Sequence, residues 1–192
     1  MKEKTQTVYG EKIEMKIKSN LIKQIEKFAK NYYKTYKEDP KIWENHIQLV
    51  KKYALKLAKI EGADKQVVKI SSLLHDVGKC KGRNKHNIKS YRLAKEFLEK
   101  TELPKEKKNL ILKCILKHSS KYSHEDNEIE IKVIQSADAL GTLFDEEWQE
   151  HCRKNTSKEE ILKKYDKTFK KINLESAKKL AIPQVKKLKR LL

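Results

Sequence analysis

Apolar residues recur three and four positions apart along most of the chain, the interval that places them on one face of an α-helix. Between residues 11 and 36, Ile13, Ile17, Leu21, Ile25, Phe28 and Tyr32 fall mostly at helical spacing, while the alternation of Ile13, Met15 and Ile17 leaves a short strand open there. DPKIWENHIQLVKKYALKLAKIEG then reads as a full helix, with Asp39 as N-cap, Pro40 in the first position, a stripe of Trp43, Ile47, Val50, Ala54 and Leu57, and Gly62 as terminator. Asp64 can cap the next helix, which runs through Val67, Val68, Ile70, Leu73 and Leu74 to His75 and Asp76, with Gly78 at its C-terminal end. After a basic loop, KCKGRNKH, a helix over 86–100 buries Ile88, Leu93, Ala94, Phe97 and Leu98, and Pro104 opens another that leads to His118.

A polar loop, SSKYSHEDN, separates that helix from IEIKVIQSADALGTLFDEEW, where helical spacing returns with Ile131, Ile134 and Asp138. From Arg153 onward two more helices are predicted, one opened by a capping box of Ser157 and Glu160. Pro183 should kink or break the last segment after Ala181, and Leu180, Ile182, Val185, Leu188 and Leu191 form its expected packing face. This is an all-α pattern whose short polar loops predict a single orthogonal bundle. Residues 1–152 are expected to form the main helical domain with its N-terminal helix, and 153–192 a C-terminal helical extension packed on the same domain. Only five Gly and three Pro in 192 residues argue the same way, against a turn-rich sheet protein.

A formal net charge of +19 draws anions, so nucleotides, nucleic acid or an anionic membrane surface are the partners to test. Lysine is spread over nearly every predicted helix, however, as expected of solvated faces, and there is no Gly-rich phosphate loop or C-x-x-C pair. Cys80, Cys114 and Cys152 are odd in number and far apart, which fits a reducing cytoplasm rather than a disulfide framework. No stretch approaches the ~20 apolar residues of a membrane span.

Some ionisable residues sit beside the apolar stripes instead of opposite them: His46, His75, Asp76, His86, His118 and Asp138. A buried carboxylate needs charge compensation, and imidazole with carboxylate is a donor set for Mn, Fe, Co, Ni or Zn. His75 and Asp76 are adjacent, so in a regular helix they diverge by about 100° and can share an ion only if it lies just off the helix surface. The plainer alternatives are a helix-end histidine donating to its own last carbonyls and, for Lys79, a solvated cation at a helix C-terminus.

The ordered set WENHIQLV, LLHDVGK, HNIKSYRLAKEFL, ILKHS and IQSADALG, spanning residues 43–141, resembles the HD-domain superfamily of metal-dependent phosphohydrolases with its H…HD…D pattern. The resemblance implies an HD-type helical fold in which His46, His75, Asp76 and Asp138 bind a divalent transition metal, Mg being a further candidate. It places His86 and His118 where some members bind a second metal or substrate phosphate, so one ion or two is open. The implied reaction is cleavage of a phosphomonoester or phosphodiester, a nucleotide among the candidates, by attack of a metal-bound hydroxide. Asp76 and Lys79 are then the catalytic residues, with Lys79 and Arg92 contacting substrate and Arg83 and Lys85 as looser candidates. Two-iron relatives that oxidise their substrates keep an oxygenase open, and a non-catalytic nucleic-acid or nucleotide binder on the same scaffold is the alternative.

Overall fold

The computed structural model describes residues 20–122 and 128–192, so the possible strand at 13–17 and the last five residues of the SSKYSHEDN loop lie outside the described residues. Within them the chain is helical, with no strand. Helix α1 spans residues 20–33 and buries Ile25, Ala29 and Tyr33. A π-helical turn, Trp43–Ile47, runs directly into α2, Gln48–Glu61. Helix α3 is Lys65–Leu74, followed by a 3₁₀ turn Val77–Lys81. Helices α4 (His86–Glu99), α5 (Lys105–Lys117) and α6 (Ile129–Phe144) complete the central layer. Helices α7 (Glu146–Asn155), α8 (Lys158–Lys170) and α9 (Glu175–Arg190) close the chain.

The core forms around α6, whose Ile131, Val133, Ile134, Leu140 and Leu143 are fully buried, each contributing roughly 1.5–3 kcal/mol of apolar transfer. Helix α6 packs on α2 on one side, on α3 and α5 on another, and on α8 and α9 on the C-terminal side. Gly141 makes the α2 contact possible, because a Cβ there would meet Val50 Cγ2 at 2.6 Å and the His46 ring at 3.4 Å. No helix of the described residues is long and apolar enough to cross a membrane.

Several local signals act as expected. Asp64 caps α3 by accepting from the N–H groups of Gln66 (2.8 Å) and Val67 (3.0 Å), and Gly62 ends α2 in the left-handed conformation at φ 73°. Ser157 accepts from the N–H of Glu160 at 3.3 Å. Other readings need correction. Asp39 makes no side-chain cap; the helical run starts only at Ile42. The segment 129–148 is two helices, split at Asp145, whose carboxylate accepts from the N–H of Trp148 at 2.9 Å.

Pro183 does not break the last segment. Helix α9 continues through it because Pro183 is exposed, and because buried Ala181 and Leu188 hold the turns on either side while Gln184 donates to the Leu143 carbonyl at 3.0 Å. The packed face is correspondingly Ala177, Ala181 and Leu188 with Leu180 and Val185 at its edge, whereas Ile182 and Leu191 point to solvent.

Gly78 does not terminate α3, which ends at Leu74 with His75 as C-cap. It is required by proximity: a Cβ would lie 2.4 Å from the Ser90 N and 2.5 Å from the His86 O, while the Gly78 N–H donates to Ser90 Oγ at 2.9 Å. Gly78→Ala should therefore cost about 3 kcal/mol and lower Tm by roughly 6–12 °C, since the obstructing atoms are backbone. Gly62→Ala, strained but in open space, should cost only about 1 kcal/mol. Thermal unfolding of the two variants checks the contrast.

Candidate metal centre

The π turn before α2 carries His46, whose Nε2 lies 3.1 Å from Asp138 Oδ1 and 3.6 Å from Asp76 Oδ2. At the far end of α3, His75 Nε2 lies 3.3 Å from Asp76 Oδ2 and 3.6 Å from Asp138 Oδ1. The difficulty of two adjacent ligands is resolved by the backbone. His75 is still helical, but Asp76 leaves the helix at φ −113°, ψ 5°, which turns its carboxylate toward the same focus. Donor atoms of His46, His75, Asp76 and Asp138 all lie within 4.8 Å of one another.

A second group shares Asp76. His86, the first residue of α4, and His118, the C-cap of α5, bring Nε2 to 3.3 Å and 3.5 Å from Asp76 Oδ1 and to 3.1 Å from each other. Asn87 donates to the Leu116 carbonyl at 2.8 Å, which ties these two helix ends together. Asp76 thus faces His46 and His75 with one oxygen and His86 and His118 with the other.

Three of the histidines have the same internal tether. His75, His86 and His118 place Nδ1 against the carbonyl three residues earlier, that of Ser72 (2.9 Å), Arg83 (3.1 Å) and Ile115 (2.6 Å). An Nδ1–H donated there aims Nε2 at the cluster, where it can bind a metal once the ring is neutral, as in metal-binding imidazoles oriented by a carbonyl. His86 and His118 then face each other lone pair to lone pair. His46 Nε2, His75 Nε2 and Asp76 Oδ1 are buried without a hydrogen-bond partner among the described residues. Buried polar atoms left without a partner cost free energy that coordination of a cation would recover, so the residues present fit a divalent ion.

Two lysines neutralise the carboxylates. Lys79 follows Asp76 by three residues, which a 3₁₀ turn places one above the other, and its Nζ pairs with Asp76 Oδ2. Lys171, just after α8, is buried and pairs with Asp138 Oδ2. Burial opposes ionisation of Asp76, but Lys79 and His75 outweigh it and hold the carboxyl well below the usual range. Burial likewise opposes ionisation of Asp138, outweighed by Lys171 and His46. Burial disfavours a charged His75, yet Asp76 and Asp138 raise its pKa to about 9, whereas burial with the neighbouring His75 pushes His118 down to about 4.

A cavity of about 250 Å³ opens onto the cluster, lined by His46, Asp76, Lys79, His86, His118 and Asp138 together with Ser119, Ser120, Thr142, Lys167, Thr168 and Lys171. Arg92 is not among the lining residues; it lies on the exposed face of α4. Arg83 donates to Tyr36 Oη and Glu38 and lines a smaller cavity of about 110 Å³ with His46 and Lys79, and Lys85 is exposed at the start of α4. Sequence reasoning missed Lys171 and Gln135, whose amide donates to the Lys117 carbonyl at 2.7 Å and so steadies the turn that carries His118. The small residues of QSADALG pointed to α6, but Gln135 itself had no distinguishing signal.

Comparison with known proteins follows the same outline. A family model described as HD domain matches residues 43–143. A crystal structure of an HD-superfamily hydrolase from Bacillus thuringiensis superposes with a TM-score of 0.68 at 19% identity, covering 91% of this chain and 94% of that one. Bacillus subtilis YpgQ gives 0.66 at 19% identity over 91% and 95%, and a predicted HD-superfamily hydrolase from an uncultured Thermotogales bacterium gives 0.64 at 19% over 88% and 87%. YpgQ has also been solved in complex with ADP, at a TM-score of 0.63 and 19% identity over 88% and 95%. No curated protein matches the chain.

A divalent ion must displace the proton that His75 carries below pH 9, so its apparent affinity should rise about tenfold per pH unit between pH 6.5 and 8.5. The same proton stabilises the metal-free fold below pH 6.5, and that contribution is lost as pH rises through 9. Metal-free protein should therefore lose Tm over this window while the Tm gain from added Mn²⁺ grows. Calorimetric titration and thermal melts across the range check both signs, and flat affinity would refute the displacement.

Proposed function

The chain belongs to the HD domain family, and we propose that it works as a metal-dependent phosphohydrolase that cleaves a phosphomonoester or phosphodiester, with a nucleotide as the leading substrate class. The observation that carries this reading is the shared carboxylate of Asp76, buried between two histidine pairs with Lys79 beside it. The ADP found in the YpgQ complex supports a nucleotide.

His46, His75, Asp76 and Asp138 would hold one divalent ion, and Asp76 with His86 and His118 would hold a second. Mn, Fe, Co, Ni or Zn suits this mixture of imidazole and carboxylate. When bound, such an ion supplies Lewis acidity, letting a water ionise near neutral pH and drawing charge from a phosphoryl oxygen. The protein does the rest. The carbonyls of Ser72, Arg83 and Ile115 fix the histidine rings, so the donors need no reorganisation during the reaction. Lys79 contributes the fixed positive charge that a phosphoryl oxygen needs as its negative charge grows. Ser119 and Ser120 line the cavity and would offer neutral hydroxyl donors that orient the substrate, whereas Thr142 Oγ1 already donates to the Asp138 carbonyl at 3.1 Å.

Purified protein should retain transition metal and release phosphate from at least one nucleotide or small phosphate ester, with Asp76→Ala losing both. Lys79→Met should keep metal but lower kcat by about 10²–10³-fold. Elemental analysis and a phosphatase panel with Mn, Co, Ni and Fe make the test, and metal-free, inactive wild-type protein would refute the reading. A nucleic-acid binder would instead retain salt-sensitive RNA or DNA binding in Asp76→Ala.

A further inference from the structure

The family match ends at residue 143, yet one wall of the cavity comes from beyond it, from the last turn of α8. Lys167, Thr168 and Lys171 line that wall. Lysines near a helix C-terminus are usually solvated and complement the dipole, as exposed Lys167 can. Lys171 is different: it is 8% exposed, turned inward, and held on Asp138 Oδ2, the oxygen opposite the one that faces His46 and His75.

That placement gives Lys171 two possible partners. In the metal-free protein it offsets the charge of Asp138, as Lys79 does for Asp76. A divalent ion brought to this focus takes over the compensation of the carboxylates. Two carboxylates, two ammonium groups and one divalent ion would leave the buried site with a surplus of two positive charges, before any contribution from the histidines. A surplus of that size in a low-dielectric cavity is costly unless an anion enters. The ammonium of Lys171, on a flexible four-carbon stem, can turn from Asp138 into the cavity it already lines.

We propose that the last turn of α8 is the anion wall of this site, and that Lys171 leaves Asp138 to bind a phosphoryl oxygen when a divalent cation takes that carboxylate, with Lys167 and Thr168 contacting the same anion from the rim. The proposal rests on the metal-dependent reading above. It makes metal and phosphate mutually supportive ligands through a residue of this chain, and it assigns substrate binding to a helix outside the matched family segment.

Calorimetric titration of the full-length protein with Mn²⁺, and then of the Mn²⁺-loaded protein with inorganic phosphate, tests it. Lys171→Met should weaken phosphate binding about 10-fold or more while leaving Mn²⁺ affinity unchanged or tighter, because a competing cation is gone, and Lys171→Arg should restore phosphate binding. Because Lys171→Met strips Asp138 Oδ2 of its ammonium partner in the absence of metal, its metal-free Tm should drop and recover with Mn²⁺. Lys167→Ala, at an exposed position that spares the fold, should weaken phosphate binding several-fold with Mn²⁺ affinity unchanged. If Lys171→Met lowers Mn²⁺ affinity and leaves phosphate affinity intact, Lys171 is a structural counter-ion and the proposal falls alone. Wild-type protein that takes up no Mn²⁺ overturns the reading beneath it and the proposal together.

Discussion

Two carboxylates inside an apolar bundle set the terms for everything around them. Asp76 and Asp138 are nearly inaccessible, and neither could stay ionised there without close partners. The fold supplies those partners almost entirely from helix ends. His75 and His118 are C-caps, His86 opens α4, His46 sits in the π turn before α2, and Lys171 follows α8. Asp138 alone projects from the middle of a helix. Helix C-termini have unsatisfied carbonyls, and two of the three tethered histidines use carbonyls of their own last turn to fix the ring. The defect of a helix end thereby becomes the support of a ligand.

This dependence on helix ends explains what could be read in advance. Periodicity locates helices, and caps such as Asp64 and Gly62 mark some of their ends, so the apolar stripes and the polar residues beside them were visible. The six residues of the cluster could be named because each combined a titratable side chain with a core-facing position, and the HD resemblance ordered them. Positions governed by another segment's backbone were not legible. Gly78 looks like a helix terminator, but its lack of a side chain serves the approach of α4. Pro183 looks like a break, yet packing of α9 on both sides of it wins over local propensity.

Lys171 is the clearest loss. It is one of 46 basic residues, just after a helix whose own lysines are all exposed, and no spacing rule links it to Asp138. Only the loop that turns Ile172 and Leu174 into the core carries it inward with them. Arg92 shows the converse, since it lies within the segment that carries the motifs yet is exposed and does not line the cavity. Proximity in sequence to a motif is a poor guide to which side chains share its cavity, because the cavity is closed by whichever helix packs across its mouth.

Size does not single out this site either. A cavity of about 630 Å³ lies where α1 begins beside the α4–α5 connection, more than twice the volume of the one above Asp76. Its charged lining residues, Lys100, Glu102 and Lys107, are exposed or half-exposed and can meet their needs with water. The smaller cavity opens onto buried polar atoms without hydrogen-bond partners, two imidazoles facing each other, and carboxylates held ionised by lysines. A site that carries unmet electrostatic demand has a physical reason to bind something, and one lined by hydrated groups has none. That difference, more than volume or the family outline, is the ground for proposing the functional site at the junction of α2, α3, α4, α5, α6 and α8.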